Sequence, residues 1–386
     1  MSGFKDSTAI VGIGETAFGK GLPGTELELA CEAVSKALAD AGLSPRDVDA
    51  VGSYTMEATS DFELARQMGF GDLNFFSQTG HGGGAAPGTV GHVALAVAAG
   101  VANVGVVWRS RKRSGAASRV WGQTASTLTD HWKWSRPSGL LRPVDEVAML
   151  TQRYFFEYGD GRDALAAIAT GQRANANANP RAQMRDKLMS TEDYFAARMI
   201  AEPLCLFDNC LETDGAVAVV ITRSARARDL RQVPVLIHAF SQGLATGHQP
   251  MADFHRAAPL VGGCSAVAAA NLWRQSDLTA QDVDVAQIYD AFSPLILFSL
   301  EAYGFCGRGE ASDFVRSGAL QLGGALPVNT AGGGLSEAYI HGMNLVTEAV
   351  RQVRGEAVTQ IDGAKTCLVT GCDSTPNGAL LLRRDG

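Results

Sequence analysis

Apolar residues in this chain gather into short unbroken runs, separated by longer stretches in which they recur every three or four positions. The runs Ala9–Gly12, Val104–Trp108, Ala216–Ile221, Val235–Phe240, Asp284–Ile288 and Lys365–Thr370 read as strands, several continuous enough to be covered on both faces. Leu27, Ala30, Cys31, Val34, Ala37, Leu38 and Ala41 fall on one face of a helix. Thr25 and Glu28 have the spacing of a capping box at its start, and Gly42 is placed to end it. Strands alternating with helices predict an α/β protein.

The pattern occurs twice. Residues 43–51 read LSPRDVDAV and residues 278–286 read LTAQDVDVA, each after a helical stretch and before a strand. Each half then carries a glycine triplet, Gly82–Gly84 and Gly332–Gly334, followed by an apolar helical stretch and a further strand. Two copies of one αβ unit account for this order, with halves at about 1–230 and 231–386. The first half is longer by a segment of about 109–203, rich in Arg, Trp, Asn and Ala with a weak helical period. It is expected to be an inserted loop region over the functional site.

Composition narrows the class. The 386 residues, 46% hydrophobic and 19% charged, suffice for a large buried core. A formal net charge of −7 argues against a nucleic-acid surface. Seven cysteines without a CxxC pair suggest neither a zinc site nor a disulfide framework, and hence a reducing compartment. The N-terminal stretch has no apolar core of signal-peptide length. The most apolar segment, Val93 to Trp108, is interrupted by Gly100, Asn103 and Gly105. A soluble cytoplasmic protein is expected. The string Gly12-x-Gly14-x-x-Ala17 mimics a dinucleotide fingerprint, but Gly19, Gly21, Pro23 and Gly24 follow where a helix would have to open. His248 and His255 lack carboxylates at metal spacing, so no metal is expected.

Four strings are long and unusual in composition: AEPLCLFDNCLETDGAVAVVI (201–221), IYDAFSP (288–294), GFCGRGEASDF (304–314) and PVNTAGGGLSEAYIHGMN (327–344). With the duplicated layout, they resemble the thiolase superfamily over nearly the whole chain, and most of all its lipid-transfer-protein branch, the steroid side-chain-cleaving aldolases. The resemblance implies a duplicated thiolase fold of five layers, α/β/α/β/α. It also implies a homodimer paired through a long sheet edge, and a separate OB-fold partner with a zinc ribbon. No cofactor is implied beyond the CoA of the substrate.

Against that family two departures stand out. The nucleophilic cysteine of thiolases, at the start of a buried helix in the first half, maps at or near Gly83 in HGGGAAPG, and no cysteine lies between Cys31 and Cys205. Without a thiolate a covalent acyl-enzyme has no starting atom. Tyr289 stands where thiolases keep the histidine of an HDAF-like string, and Tyr339 where they keep that of GHPxG. Cys372, in GCDSTPNG, matches a thiolase cysteine position.

The resemblance therefore implies retro-aldol cleavage of a β-hydroxyacyl-CoA steroid side chain rather than acyl transfer. Tyr289 is expected as general base and Tyr339 as its partner acid, in an order open to reversal, with His341 beside them. His81, Gly83, Gly333 and Cys372 are expected around substrate and enolate. The glycines would serve either as backbone donors or simply as points where helices cross. The basic cluster Arg109, Arg111, Lys112 and Arg113 is expected either to bind CoA phosphates or to sit on a loop or subunit contact. Trp121, Trp132 and Trp134 would cover a steroid ring system or pack their own loop. The alternatives are a thiolase using Cys372, or a non-catalytic lipid-binding subunit.

Overall fold

The computed structural model describes residues 3–54, 58–80, 82–113, 132–248, 254, 263–373 and 375–385. Its strands are β1 (Thr8–Glu15), β2 (Ala50–Tyr54), β3 (Phe75–Thr79), β4 (Val104–Arg111), β5 (Met199–Ala201), β6 (Leu204–Cys205), β7 (Gly215–Arg223), β8 (Val235–Gly243), β9 (Val285–Gln287), β10 (Thr366–Thr370) and β11 (Asn377–Arg384). β5 and β6 form a small ladder of their own. The other nine form one mixed sheet in the order β3-β2-β4-β7-β1-β8-β11-β10-β9. All six runs expected as strands are strands. β11 was not anticipated; it is buried along most of its length between β8 and β10.

The duplication extends to single hydrogen bonds. In the first copy, the backbone N–H of Ser44 donates to the Asp47 carboxylate at 2.8 Å, and Asp49 accepts from the N–H groups of Asn103 and Val104, each at 2.9 Å. In the second, the N–H of Thr279 donates to Asp282 at 2.8 Å, and Asp284 accepts from Lys365 and Thr366 at 2.8 and 2.9 Å. Each Asp-Val-Asp thus caps a short 3₁₀ turn and ties one parallel strand to the start of its neighbour.

The halves join where β1 pairs with β8, Ala9 opposite Leu236 and Ile10 opposite Val235. Two helices, Ala85–Ala98 and Met343–Arg354, touch each other and strands of both halves, and so form the central layer. The capped helix Glu26–Ala41 covers β1, β4 and β7 from outside, and Gly263–Trp273 covers β8 and β11. With β3-β2-β4-β7-β1 as one sheet layer and β8-β11-β10-β9 as the other, joined only at the short β1–β8 seam, this is the five-layer order. Val346, Val350 and Val353 on one central helix and Val90, Val93 and Val97 on the other are fully buried in a single continuous core. Each such side chain contributes on the order of 1.5–3 kcal/mol of burial.

Two expectations are corrected. The segment 109–203 is not mainly loop. Beyond β4 it contains helices Pro143–Tyr158 and Arg162–Ala178. The second escaped notice because its buried face includes Gln172, Arg173 and Asn175, polar residues that break an apolar period. The glycine triplets are also not equivalent. Gly82–Gly84 leads directly into a central helix, whereas Gly333–Ser336 is a single turn, and the second central helix begins only at Met343.

Candidate active site

Tyr289 and Tyr339 meet. Tyr289 follows β9 on the loop that enters helix Pro294–Tyr303, and its N–H donates to Thr370 Oγ1 at 3.2 Å. Asn329 fixes the preceding residue from both sides, accepting from Ile288 N and donating to Ile288 O, each at 2.8 Å. Tyr339 lies between the second glycine triplet and the second central helix, its N–H bonded to Thr213 Oγ1 at 3.0 Å. The two hydroxyls share a hydrogen bond that either can donate, with ring centroids 6.0 Å apart and planes at 61°. Both side chains are almost fully buried, 3% and 6% exposed. Burial pushes both phenols well above the ordinary tyrosine value, and the nearby Cys210 and Cys372 thiols push in the same direction.

Gly83 lies against this pair. A Cβ at that position would come within 2.0 Å of the Tyr289 hydroxyl oxygen. The phenol therefore fills the space that a side chain at residue 83 would need. The Gly83 carbonyl accepts from Cys372 N at 3.2 Å, which brings Cys372, buried, to the same place.

His341 is the third member. It is buried, has a left-handed φ of 48°, and stands edge-on to the Tyr339 ring with centroids 5.2 Å apart. Its Nδ1 is 2.7 Å from Arg109 Nη2 and its Nε2 is 2.6 Å from Arg113 Nη2. Guanidinium groups only donate and a neutral imidazole accepts at one nitrogen only, so the ring is uncharged and accepts from one of the two arginines while its N–H faces the other. Burial first, then Arg109, Arg113 and Arg111, hold its pKa well below the usual histidine value. Tyr54 locks the turn: its hydroxyl donates to the carbonyls of His341 and Ile340 at 3.1 and 3.3 Å, and Arg109 stacks on its ring at 4.6 Å.

Three residues of the basic cluster, expected either to bind CoA phosphates or to sit on a loop or subunit contact, turn into the protein. Arg109 and Arg111 lie two apart on β4 and share one sheet face. Both are buried, as is Arg113, and Arg109 and Arg113 grip His341. The Lys112 ammonium donates to the carbonyls of Leu22 and Gly24, each at 2.6 Å.

Gly333, expected near the enolate, instead packs on Asp290. It has φ 59°, and a Cβ there would lie 2.4 Å from Asp290 Oδ2. The N–H groups of Gly334 and Leu335 donate to the Asp290 carboxylate at 2.8 and 3.2 Å. Burial pushes that carboxyl up to about 7. Glu337 braces the same segment, its two oxygens accepting from Asn179 Nδ2 and Asn344 Nδ2, each at 3.1 Å. Burial, then Glu15 and Glu348, push it up to about 8.

His81, Trp121 and His255 lie outside the described residues. Trp134 is exposed, and Trp132 carries Arg136 on its ring at 4.3 Å. Among the described residues no three His, Cys, Asp or Glu side chains are grouped to hold a metal ion, and no helix is long and apolar enough to cross a membrane. Tyr54, Asp290 and Cys210 were missed. Asp290 adjoins Tyr289 in the YDAF string and was within reach. Nothing in the local sequence of Tyr54 marks it. Cys210 lies in a string already noted, and burial pushes its thiol up to about 12.

Residues 245–380 match the family model described as thiolase C-terminal domain-like. The chain is 46% identical, over 97% of its own length and 98% of the relative's, to the 17-hydroxy-3-oxo-4-pregnene-20-carboxyl-CoA lyase of Mycobacterium tuberculosis. It is 43% identical to the steroid side-chain-cleaving aldolase of Thermomonospora curvata, over the whole of both chains. A solved structure described as an Ltp2-ChsH2(DUF35) aldolase superposes with a TM-score of 0.94 at 41% identity, covering 100% of this chain and 99% of that one.

Proposed function

We propose, from the premise that this chain belongs to the thiolase superfamily and to its steroid side-chain-cleaving aldolases, that Tyr289 and Tyr339 are the proton-transfer pair of a carbon–carbon lyase. The enzyme cleaves a β-hydroxyacyl-CoA steroid side chain, releasing a steroid ketone or aldehyde and a short acyl-CoA. One of the pair, as its phenolate, takes the proton of the β-hydroxyl, whose O–H electrons form the new carbonyl. The Cα–Cβ electrons move to Cα and are held as the thioester enolate, and the other phenol protonates Cα. Acyl transfer needs a nucleophile at the head of the first central helix, and Gly83 offers none.

The observation that carries this reading is the shared hydrogen bond between two buried phenols in the space left beside Gly83. The test is cleavage of a 17-hydroxy steroid acyl-CoA ester by Tyr289→Phe and Tyr339→Phe. Each variant should fold and bind the ester yet lose at least ~100-fold in turnover, a usual size for lost acid/base catalysis. Unchanged turnover in both would remove the assignment.

Two assemblies belong to the proposal. The similar solved structure is of an Ltp2-ChsH2(DUF35) aldolase, which supports a partner for this chain, an OB-fold protein with a zinc ribbon. Co-purification from the native source tests it. For the homodimer the available sheet edge is β3, where Phe76 stands 72% exposed. Sedimentation of a Phe76→Glu variant tests that contact.

A further inference from the structure

We propose that Thr213 and Gln183 are positioning residues for the phenol pair, and that the stretch from Asn175 to Gln183 is the spacer that sets how Tyr289 and Tyr339 meet; this rests on the tyrosine-pair reading above. Neither tyrosine lies in a helix or a strand, so neither takes its place from a regular ladder. One side chain anchors the backbone at each. Asn329 accepts from Ile288 N and donates to Ile288 O, each at 2.8 Å, immediately before Tyr289. Thr213 Oγ1 accepts the N–H of Tyr339 at 3.0 Å.

Both anchors end on the same stretch of the inserted segment. Asn175 Nδ2 donates to the Asn329 carbonyl at 3.2 Å, and the Thr213 hydroxyl donates to Gln183 Oε1 at 2.9 Å. A circuit results. It runs from Tyr289 through Asn329 and Asn175 to Gln183, then through Thr213 to Tyr339, and closes across the hydrogen bond that the phenols share. Asn175 belongs to helix Arg162–Ala178, and the N–H groups of Gln183 and Met184 donate to the carbonyls of Glu337 and Ser336 at 2.8 and 3.2 Å. The spacer is therefore bonded along the turn that carries Tyr339.

The residue types fit the task. Asn329 has a left-handed φ of 50°, which asparagine tolerates better than most residues with a Cβ, and its amide supplies the acceptor and the donor that Ile288 needs. Thr213 is fully buried. Its one hydroxyl proton goes to Gln183, which turns a lone pair towards the Tyr339 N–H. Gln183 thus acts on Tyr339 at one remove. Proton transfer needs such placement, since a shift of about 1 Å caused far from the reacting atoms can cost ~100-fold.

The test is steady-state cleavage of a 17-hydroxy steroid acyl-CoA by the full chain, with whatever protein co-purifies. Thr213→Val keeps the shape and removes the acceptor. It should lose ~10–100-fold in kcat with KM held within ~2-fold, and Thr213→Ser should restore most of the loss. Gln183→Leu, at a half-buried position, should lose at least ~5-fold in the same sense. A cycle with Tyr339→Phe separates placement from general damage. Once the Tyr339 hydroxyl is gone, Thr213→Val should cost nothing further, whereas a merely structural role would multiply the two losses. Should Thr213→Val fail to fold, Gln183→Leu takes its place in the cycle. Multiplied losses, or kcat unchanged in the folded variants of Thr213 and Gln183, overturn the inference. If Tyr289→Phe and Tyr339→Phe both cleave normally, the pair reading itself fails. If both are inactive while Thr213→Val and Gln183→Leu turn over normally, only the positioning role fails.

Discussion

The hydroxyl of Tyr289 occupies the space beside Gly83 so fully that a single added Cβ would approach it to 2.0 Å and its Cζ to 2.3 Å. Residue 83 and residue 289 are therefore alternatives: one carries a side chain into this space, or the other does. Gly83→Ala should fold, because the helix Ala85–Ala98 tolerates alanine before it, yet lose at least ~100-fold in cleavage as the phenol is displaced. Gly83→Cys should gain no acyl transfer, because its sulfur meets the Tyr289 ring. Acetyl-CoA exchange by that variant would show that the two side chains coexist.

Cys372 is buried, and the Gly83 carbonyl takes its N–H, a bond that does not depend on its sulfur. Cys372→Ala should keep cleavage within ~10-fold while losing packing worth on the order of 1 kcal/mol. A loss as large as that of the tyrosine variants would return the thiol to the chemistry.

Asp290 gathers the N–H groups of Gly334 and Leu335, so the turn before Tyr339 depends on it. Asp290→Ala leaves both donors unpaired in a buried place, at a cost of ~1–3 kcal/mol each. Urea unfolding should show a clear fall in midpoint. Asp290→Asn, which keeps one acceptor oxygen, should recover part of it.

Glu337 gives a pH dependence with a definite sign. Its folded value of about 8 lies above its unfolded value, so the native state binds this proton more tightly. That contribution is fully present below about pH 4 and is lost as the pH rises through about 8. Glu337→Gln removes the titration, so its melting temperature should fall less than that of the parent between pH 5 and pH 9, by an amount equivalent to a few kcal/mol. Parallel curves would assign the proton to Glu348 instead, whose carboxyl burial also pushes up.

Much of the fold was readable because its strands are buried on both faces and so appear as unbroken apolar runs. The repeated Asp-Val-Asp was readable because it performs the same capping in both halves. Helix Arg162–Ala178 was not, since Gln172, Arg173 and Asn175 sit on its buried face, where their partners lie far away in sequence: Arg173 bonds Ser336, and Asn175 bonds the carbonyl of Asn329. The tyrosines were found through the strings that contain them. The inward turn of Arg109 was not foreseen, because a run of basic residues ordinarily marks a wet surface. Its direction is set by His341, 232 positions away.

β1 is sheltered on one side by β7 and on the other by β8, Leu236 lying against Ala9. During translation the early part of the chain must wait with that strand half-paired, a bare edge that invites neighbouring polypeptides until the later part emerges. The same seam divides the chemistry, with Gly83 and Arg113 made first and both phenols afterwards. Neither half is a module that recombination can exchange alone: each stays sticky and inert until the other arrives.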